Sequence, residues 1–78
     1  MARVLLFGRL ADIAGWRERV VDGASLADIR AALSADPDLA EALAGKGVQV
    51  AVDKAIVRGG AALTAASEVA FMPPMSGG

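Results

Sequence analysis

EVAFMPPMSGG, residues 68–78, contains a strand and its stop within its first seven residues. Val69 and Phe71 alternate with Ala70 and Met72, so both sides of the Glu68–Met72 stretch are apolar. Five such residues are too few for a stable helix and read as a strand covered on both faces, which belongs at the centre of a sheet. Pro73 ends it, because proline has no N–H for the ladder and denies its predecessor a helical conformation. One other stretch has this character: RVLLF at Arg3 to Phe7 is nearly continuous in apolar residues and has no helical period. The two strands are therefore expected side by side in the middle of one sheet.

The remaining elements are placed outward from this pair. In RLADIAG, Leu10, Ile13 and Ala14 fall at i, i+3 and i+4, and Gly15 can close one or two helical turns in a left-handed cap. WRERVV at Trp16 to Val21 alternates as a strand with one wet face, and Asp22-Gly23 ends it. ASLADIRAALSAD is the clearest helix: Ser25 is its N-cap, Asp28 sits in a capping-box position, and Leu26, Ile29 and Leu33 form one stripe. Asp36-Pro37 stops it, and Pro37 can open a second short helix, DLAEALAG, terminated by Gly45. GVQVAV puts Val48, Val50 and Val52 on one face of a strand. Asp53-Lys54 then forms a tight turn into AIVR at Ala55 to Arg58, a hairpin broken by Gly59-Gly60, with Leu63 anchoring an irregular loop. The fold class is α+β: a mixed sheet of about five strands with one main helix packed on one face, the β-grasp arrangement. Residues 1–72 make the domain and 73–78 an extended arm ending in Gly-Gly.

Composition removes several functions. The 78 residues contain no Cys, His or Tyr, which leaves no disulfide, thiol nucleophile or thiolate metal site. The commonest general base and metal ligand is missing too. A net charge of -1, with eight basic residues scattered along the chain, offers no attraction to nucleic acid or to an anionic membrane. The longest stretch without a charged side chain, Val69 to Gly78, is proline-broken and too short for the roughly 20 apolar residues of a membrane span. The apolar run in MARVLLFGR is shorter than the core of a signal peptide, so a cytoplasmic protein is expected. Alanine supplies eighteen of the residues behind the 55% hydrophobic fraction, so the real core is a smaller set of Val, Leu, Ile, Phe, Met and Trp.

Few positions invite chemistry. GRLADIAG lacks the spacing and the Lys of a phosphate loop, and Gly59-Gly60 opens no capped helix. Asp36 and Asp38 flank Pro37, where helix capping explains them better than a carboxylate pair. Arg17, Glu18 and Arg19 read as a solvated or edge-protecting cluster, and Lys54 as an exposed turn residue. The tail is different, because its features reinforce one another. Pro73-Pro74 holds the chain extended and away from the sheet; Ser76, Gly77 and Gly78 follow as a thread with almost no side chains. Such a thread could enter a narrow channel and deliver an unhindered carboxylate, which becomes reactive once ATP in a partner enzyme adenylates it. The same residues are equally consistent with a frayed end or a linker remnant.

VLLFGRLADIAG, VQVAVDKAIV and above all the EVAFMPPMSGG ending resemble, from one end of the chain to the other, the MoaD family, the small subunit of molybdopterin synthase and a relative of ThiS and ubiquitin. The resemblance implies a sulfur carrier that is itself non-catalytic. A MoeB-like enzyme would adenylate Gly78 with ATP, a sulfur-donating enzyme would supply the thiocarboxylate, and a MoaE-like large subunit with the catalytic residues would pass the sulfur to a pterin precursor in a heterotetrameric synthase. The chain itself would bind no cofactor and no metal. Gly78 would carry the acyl group and sulfur, Gly77 would keep the thread thin, and Pro73, Pro74, Met75 and Ser76 would make up the inserted arm. Phe7, Phe71 and Met72 would lie at the partner surface, although either phenylalanine serves equally well as a core aromatic. Two turns depart from the family pattern: Ala65-Ala66-Ser67-Glu68 replaces a common Asp-Gly-Asp-Glu, and Asp53 replaces a common Asn. A ubiquitin-like modifier joined through Gly78 to lysines, a carrier for thiamin or tungsten cofactor, and a plain interaction module are the other readings.

Overall fold

A computed structural model describes residues 2–74. The chain runs β1 (Ala2–Leu6), α1 (Arg9–Ala14), β2 (Glu18–Val21), α2 (Leu26–Leu33), α3 (Pro37–Leu43), β3 (Gln49–Val52), β4 (Ala55–Val57) and β5 (Glu68–Met72). The strands form a five-stranded sheet in the order β2-β1-β5-β3-β4. β5 lies at its centre, parallel to β1 with Leu6 opposite Phe71, and antiparallel to β3 with Val50 opposite Phe71. β2 and β4 form the edges by antiparallel pairing to β1 and β3. The expected β-grasp is the observed fold, with the two strands richest in apolar residues adjacent in the middle.

One expectation about those strands is corrected. Burial along β1 alternates: Ala2, Val4 and Leu6 are buried while Arg3 is exposed and Leu5 half-buried. β5 likewise buries Val69 and Phe71 and leaves Ala70 and Met72 partly open. Among the described residues only one face of the sheet is covered. Against it pack Leu10 of α1, Leu26, Ile29 and Leu33 of α2, Leu39 and Leu43 of α3, and Leu63 from the loop before β5. The three helices are short, so tertiary burial of these stripes, more than helix propensity, holds them.

The caps follow from local chemistry. Ser25 Oγ accepts from the Asp28 N–H at 3.2 Å, and Asp28 Oδ2 accepts in return from Ala24 N at 3.1 Å, a capping box displaced by one residue. Asp36 Oδ1 accepts from the N–H groups of Asp38 and Leu39 with Pro37 at the helix start, so the Asp36–Asp38 pair is a cap. Gly15 closes α1 at φ 82°. α3 ends at Leu43 with Ala44 as its cap, directly before the expected terminator Gly45, and a left-handed turn follows two residues later at Gly47, with φ 84°. Asp53 and Lys54 both take positive φ, 50° and 71°, as the two central residues of a tight hairpin turn that matches strand twist.

The two turns that depart from the MoaD pattern are internally satisfied. Ser67, 4% exposed, accepts at Oγ from Thr64 N at 2.9 Å, and its own N–H donates to Thr64 O at 3.1 Å. Asp53 holds the start of β5 twice: its N–H donates to Glu68 O, and its Oδ1 accepts from Glu68 N, both at 2.9 Å.

Candidate functional site

The uncovered face of the sheet is built by cross-strand register. Leu5, Ala70, Ala51 and Ile56 lie in one row across β1, β5, β3 and β4. Arg3, Val20 and Glu68 make the neighbouring row towards the start of β5. On the other side of the Leu5 row, Met72 is paired with Gln49, and Phe7, whose N–H continues the ladder to Phe71 O, follows Leu5 at the strand period of two. The three large apolar side chains most exposed among the described residues, Phe7 at 48%, Val20 at 56% and Ile56 at 52%, all belong to this face. They share this face but sit on different strands, Val20 and Ile56 on its two edges and Phe7 just past the end of β1.

Charge frames one corner of it. Arg3 reaches Glu18 at 3.6 Å and hydrogen-bonds Glu68 across the strands. That hydrogen bond, followed by the attraction of Glu18, raises the already high Arg3 pKa further, so the guanidinium stays charged throughout the range in which proteins work. On the β2 edge the Arg19 guanidinium stacks over Trp16, 4.6 Å from the ring centroid. Arg17, Glu18 and Arg19 are all exposed, as an edge-protecting cluster should be.

The proposed partner residues separate. Phe7 and Met72 open onto the sheet face, whereas Phe71 is fully buried, with Arg30 stacked 5.4 Å from its ring, and is a core aromatic instead of a partner contact. Strand parity explains the difference: Phe71 shares the face of Val69, and Phe7 shares that of Leu5. Leu5, Val20, Ile56 and Ala70 also belong to this face, as strict alternation along the same strands identifies; Ala51 lies in the same row but is buried. Pro73 is half-buried and Pro74 exposed; the pair, expected to stand clear of the sheet, lies against the domain beside a cleft of about 490 Å³ lined by Arg9, Ile13, Asp38, Glu41 and Lys46 among others. Met75, Ser76, Gly77 and Gly78 lie outside the described residues. Among the described residues no group of His, Cys, Asp or Glu gathers to hold a metal, and no helix is long and apolar enough to cross a membrane.

A mixed sheet gripping its helices on one face, with a central strand that runs directly into a proline pair and a glycine-rich end, defines a ubiquitin-like β-grasp protein. The chain belongs to the ThiS family, whose profile matches residues 4–78. SAMP1 of Haloferax volcanii is 32% identical, with 99% of this chain and 98% of that one covered at a TM-score of 0.80. The solution structure of small archaeal modifier protein 1 from Methanosarcina acetivorans, 21% identical, shares the fold at a TM-score of 0.84 over 99% and 95% of the two chains. So does a protein-protein complex of subunits 1 and 2 of the molybdopterin-converting factor from Helicobacter pylori, at 19% identity, a TM-score of 0.76 and coverage of 99% and 97%. No curated protein matches the chain.

Proposed function

We propose that this chain is a cytoplasmic sulfur carrier that acts through the carboxylate of Gly78, as the small subunit of a molybdopterin synthase. The observation that carries the reading is the continuity of β5 with the arm: the central strand of the sheet feeds Pro73-Pro74, then Met75 and the small residues Ser76, Gly77 and Gly78. In the reaction, a MoeB-like enzyme attaches the Gly78 carboxylate to AMP from ATP and releases pyrophosphate. A sulfide equivalent from the sulfur-donating enzyme then displaces AMP, leaving a thiocarboxylate. Inside a MoaE-like large subunit the thiocarboxylate sulfur displaces an oxygen leaving group from a carbon of the pterin precursor, and water then cleaves the acyl–sulfur bond, which leaves the sulfur on the pterin and returns Gly78 to the carboxylate. The carrier contributes no acid or base; it delivers a nucleophilic sulfur to a site built by its partner. Glycine at the last two positions leaves the reacting carbonyl open on both faces.

The test is adenylation of the purified chain by its adenylating enzyme, followed by dithiolene formation with the large subunit and a sulfur source. Deleting Gly78 shortens the thread by up to about 3.5 Å, and Gly77→Val widens it. Each change is expected to abolish adenylation or sulfur delivery while leaving stability within about 0.5 kcal/mol in a melting curve. Wild-type turnover without Gly78 would refute the mechanism. In the intact mass of the protein from its own cells, the thiocarboxylate adds the difference between sulfur and oxygen.

A second reading is favoured by a specific finding, the 32% identity to SAMP1 of Haloferax volcanii, a relative of the kind named archaeal modifier proteins. The same acyl-adenylate can be attacked by a lysine amine to give an isopeptide bond. Lysine adducts carrying the Gly78 acyl group in a digest of whole cells would establish that use.

A further inference from the structure

The start of the arm is seated between two glycines from opposite parts of the chain. A Cβ on Gly8, between β1 and α1, would come within 3.0 Å of Pro73 Cγ; one on Gly47, between α3 and β3, would come within 2.6 Å of Pro74 Cβ. Both glycines have positive φ, 56° and 84°. Each loop therefore presents bare backbone to one ring of the proline pair: at Gly47 the distance is one that real Cβ atoms essentially never show, and at Gly8 it is tighter than nine in ten real Cβ contacts. A pyrrolidine ring cannot swing aside as a long side chain can, because its φ is locked.

We propose that Gly8 and Gly47 form a slot that seats Pro73-Pro74 and fixes the direction in which the chain leaves the domain, making both glycines positioning residues for the reactive terminus. The role rests on the carrier reading above. Its physical logic is that of an oriented reactant: Pro74 is only four residues from Gly78 in sequence, so the point and direction of departure set at the slot limit where the terminus can reach. Misplacement of a reacting atom by about 1 Å can cost on the order of a hundredfold in rate. The open sheet face, by which the domain would dock, lies on other residues. Slot and docking surface are thus separable: one sets whether the partner is bound, the other where the thread points.

The chain contains its own control. Gly15 has φ 82°, nearly that of Gly47, but nothing lies within 4 Å of a Cβ built there. Gly15→Ala and Gly47→Ala thus impose a similar backbone penalty, and only the second collides with the arm. Three measurements on the full-length chain decide the matter. In the wild type, nuclear Overhauser contacts are expected from the Gly47 α-protons to the Pro74 β-protons and from Gly8 to the Pro73 ring; their absence overturns the slot without touching the carrier reading. In ATP–pyrophosphate exchange with the adenylating enzyme, Gly47→Ala is expected to lower kcat on the order of ten- to a hundredfold with KM for the carrier little changed. Gly15→Ala should match the wild type in both, with a similar fall in melting temperature. Equal kcat for the two variants overturns the positioning role. If Gly47→Ala does not fold, Gly47→Asn and Gly15→Asn replace the pair, since Asn tolerates positive φ while still carrying the Cβ. Failure of the wild type itself to support exchange overturns the carrier reading and the positioning role together, and the nuclear Overhauser contacts still decide whether the seat exists.

Discussion

Lys54 occupies a backbone conformation that suits glycine. At φ 71° it is the second central residue of the β3–β4 turn, a position where Asp-Gly is the preferred pair and this chain has Asp-Lys. Left-handed backbone costs an ordinary residue about 1–2 kcal/mol, so Lys54→Gly is expected to stabilise the domain by about 1 kcal/mol, the excess being offset by glycine's greater entropy when unfolded. For a domain of this size that is a rise of roughly 4–8 °C in melting temperature, readable by calorimetry. The two phenylalanines give the opposite kind of contrast. Phe71→Ala empties a fully buried site and should cost about 3–5 kcal/mol, while Phe7→Ala removes a half-exposed ring and should cost roughly 1 kcal/mol or less. Only Phe7→Ala should weaken a protein partner without first unfolding the chain. Denaturant midpoints paired with affinity for the proposed large subunit check both halves. Sequence alone leaves the two rings equivalent, since each sits near the end of an apolar strand; the parity of its neighbours assigns each to a face.

At the scale of elements, caps and turns were the most legible because their chemistry is local. Ser25 and Asp36-Pro37 each satisfy backbone groups within a few residues of themselves, and Asp53-Lys54 reverses the chain within the pair itself. What was not legible depends on distant partners. Gly45 and Gly47 both follow α3, and nothing nearby says which will turn left-handed; the approach of Pro74 accounts for a bare backbone at Gly47. The faces of β1 and β5 were misread for a related reason. A side chain kept apolar for the core and one kept apolar for another protein look the same in a string of letters, so Leu5 and Ala70 suggest a second covering layer that the described residues do not supply. That missing layer is expected from a partner. Ile56→Glu sits on an exposed edge-strand position and should shift stability by no more than about 0.5 kcal/mol. With Ile56 as one of the anchors that dominate such surfaces, it should also weaken binding of the proposed large subunit by about 2 kcal/mol or more. Unchanged affinity in a calorimetric titration would place the interface elsewhere.

For the molecule as a whole, the parallel pairing of β1 with β5 has a mechanical consequence. β5 is flanked on both sides, by β1 through residues 3–6 and by β3 through residues 49–52, and the arm is its direct extension. Anything that grips the tail pulls on this strand along its own axis. The hydrogen bonds on both its edges then share the load in shear, and many must fail at once, whereas a strand pulled from a sheet edge would unzip one bond at a time. Val69 and Phe71 add resistance, because sliding β5 would drag both out of the core. A partner can therefore draw the thread tight, hold it and release it repeatedly without unravelling the domain. The most heavily anchored strand of the protein is the one that bears the tension.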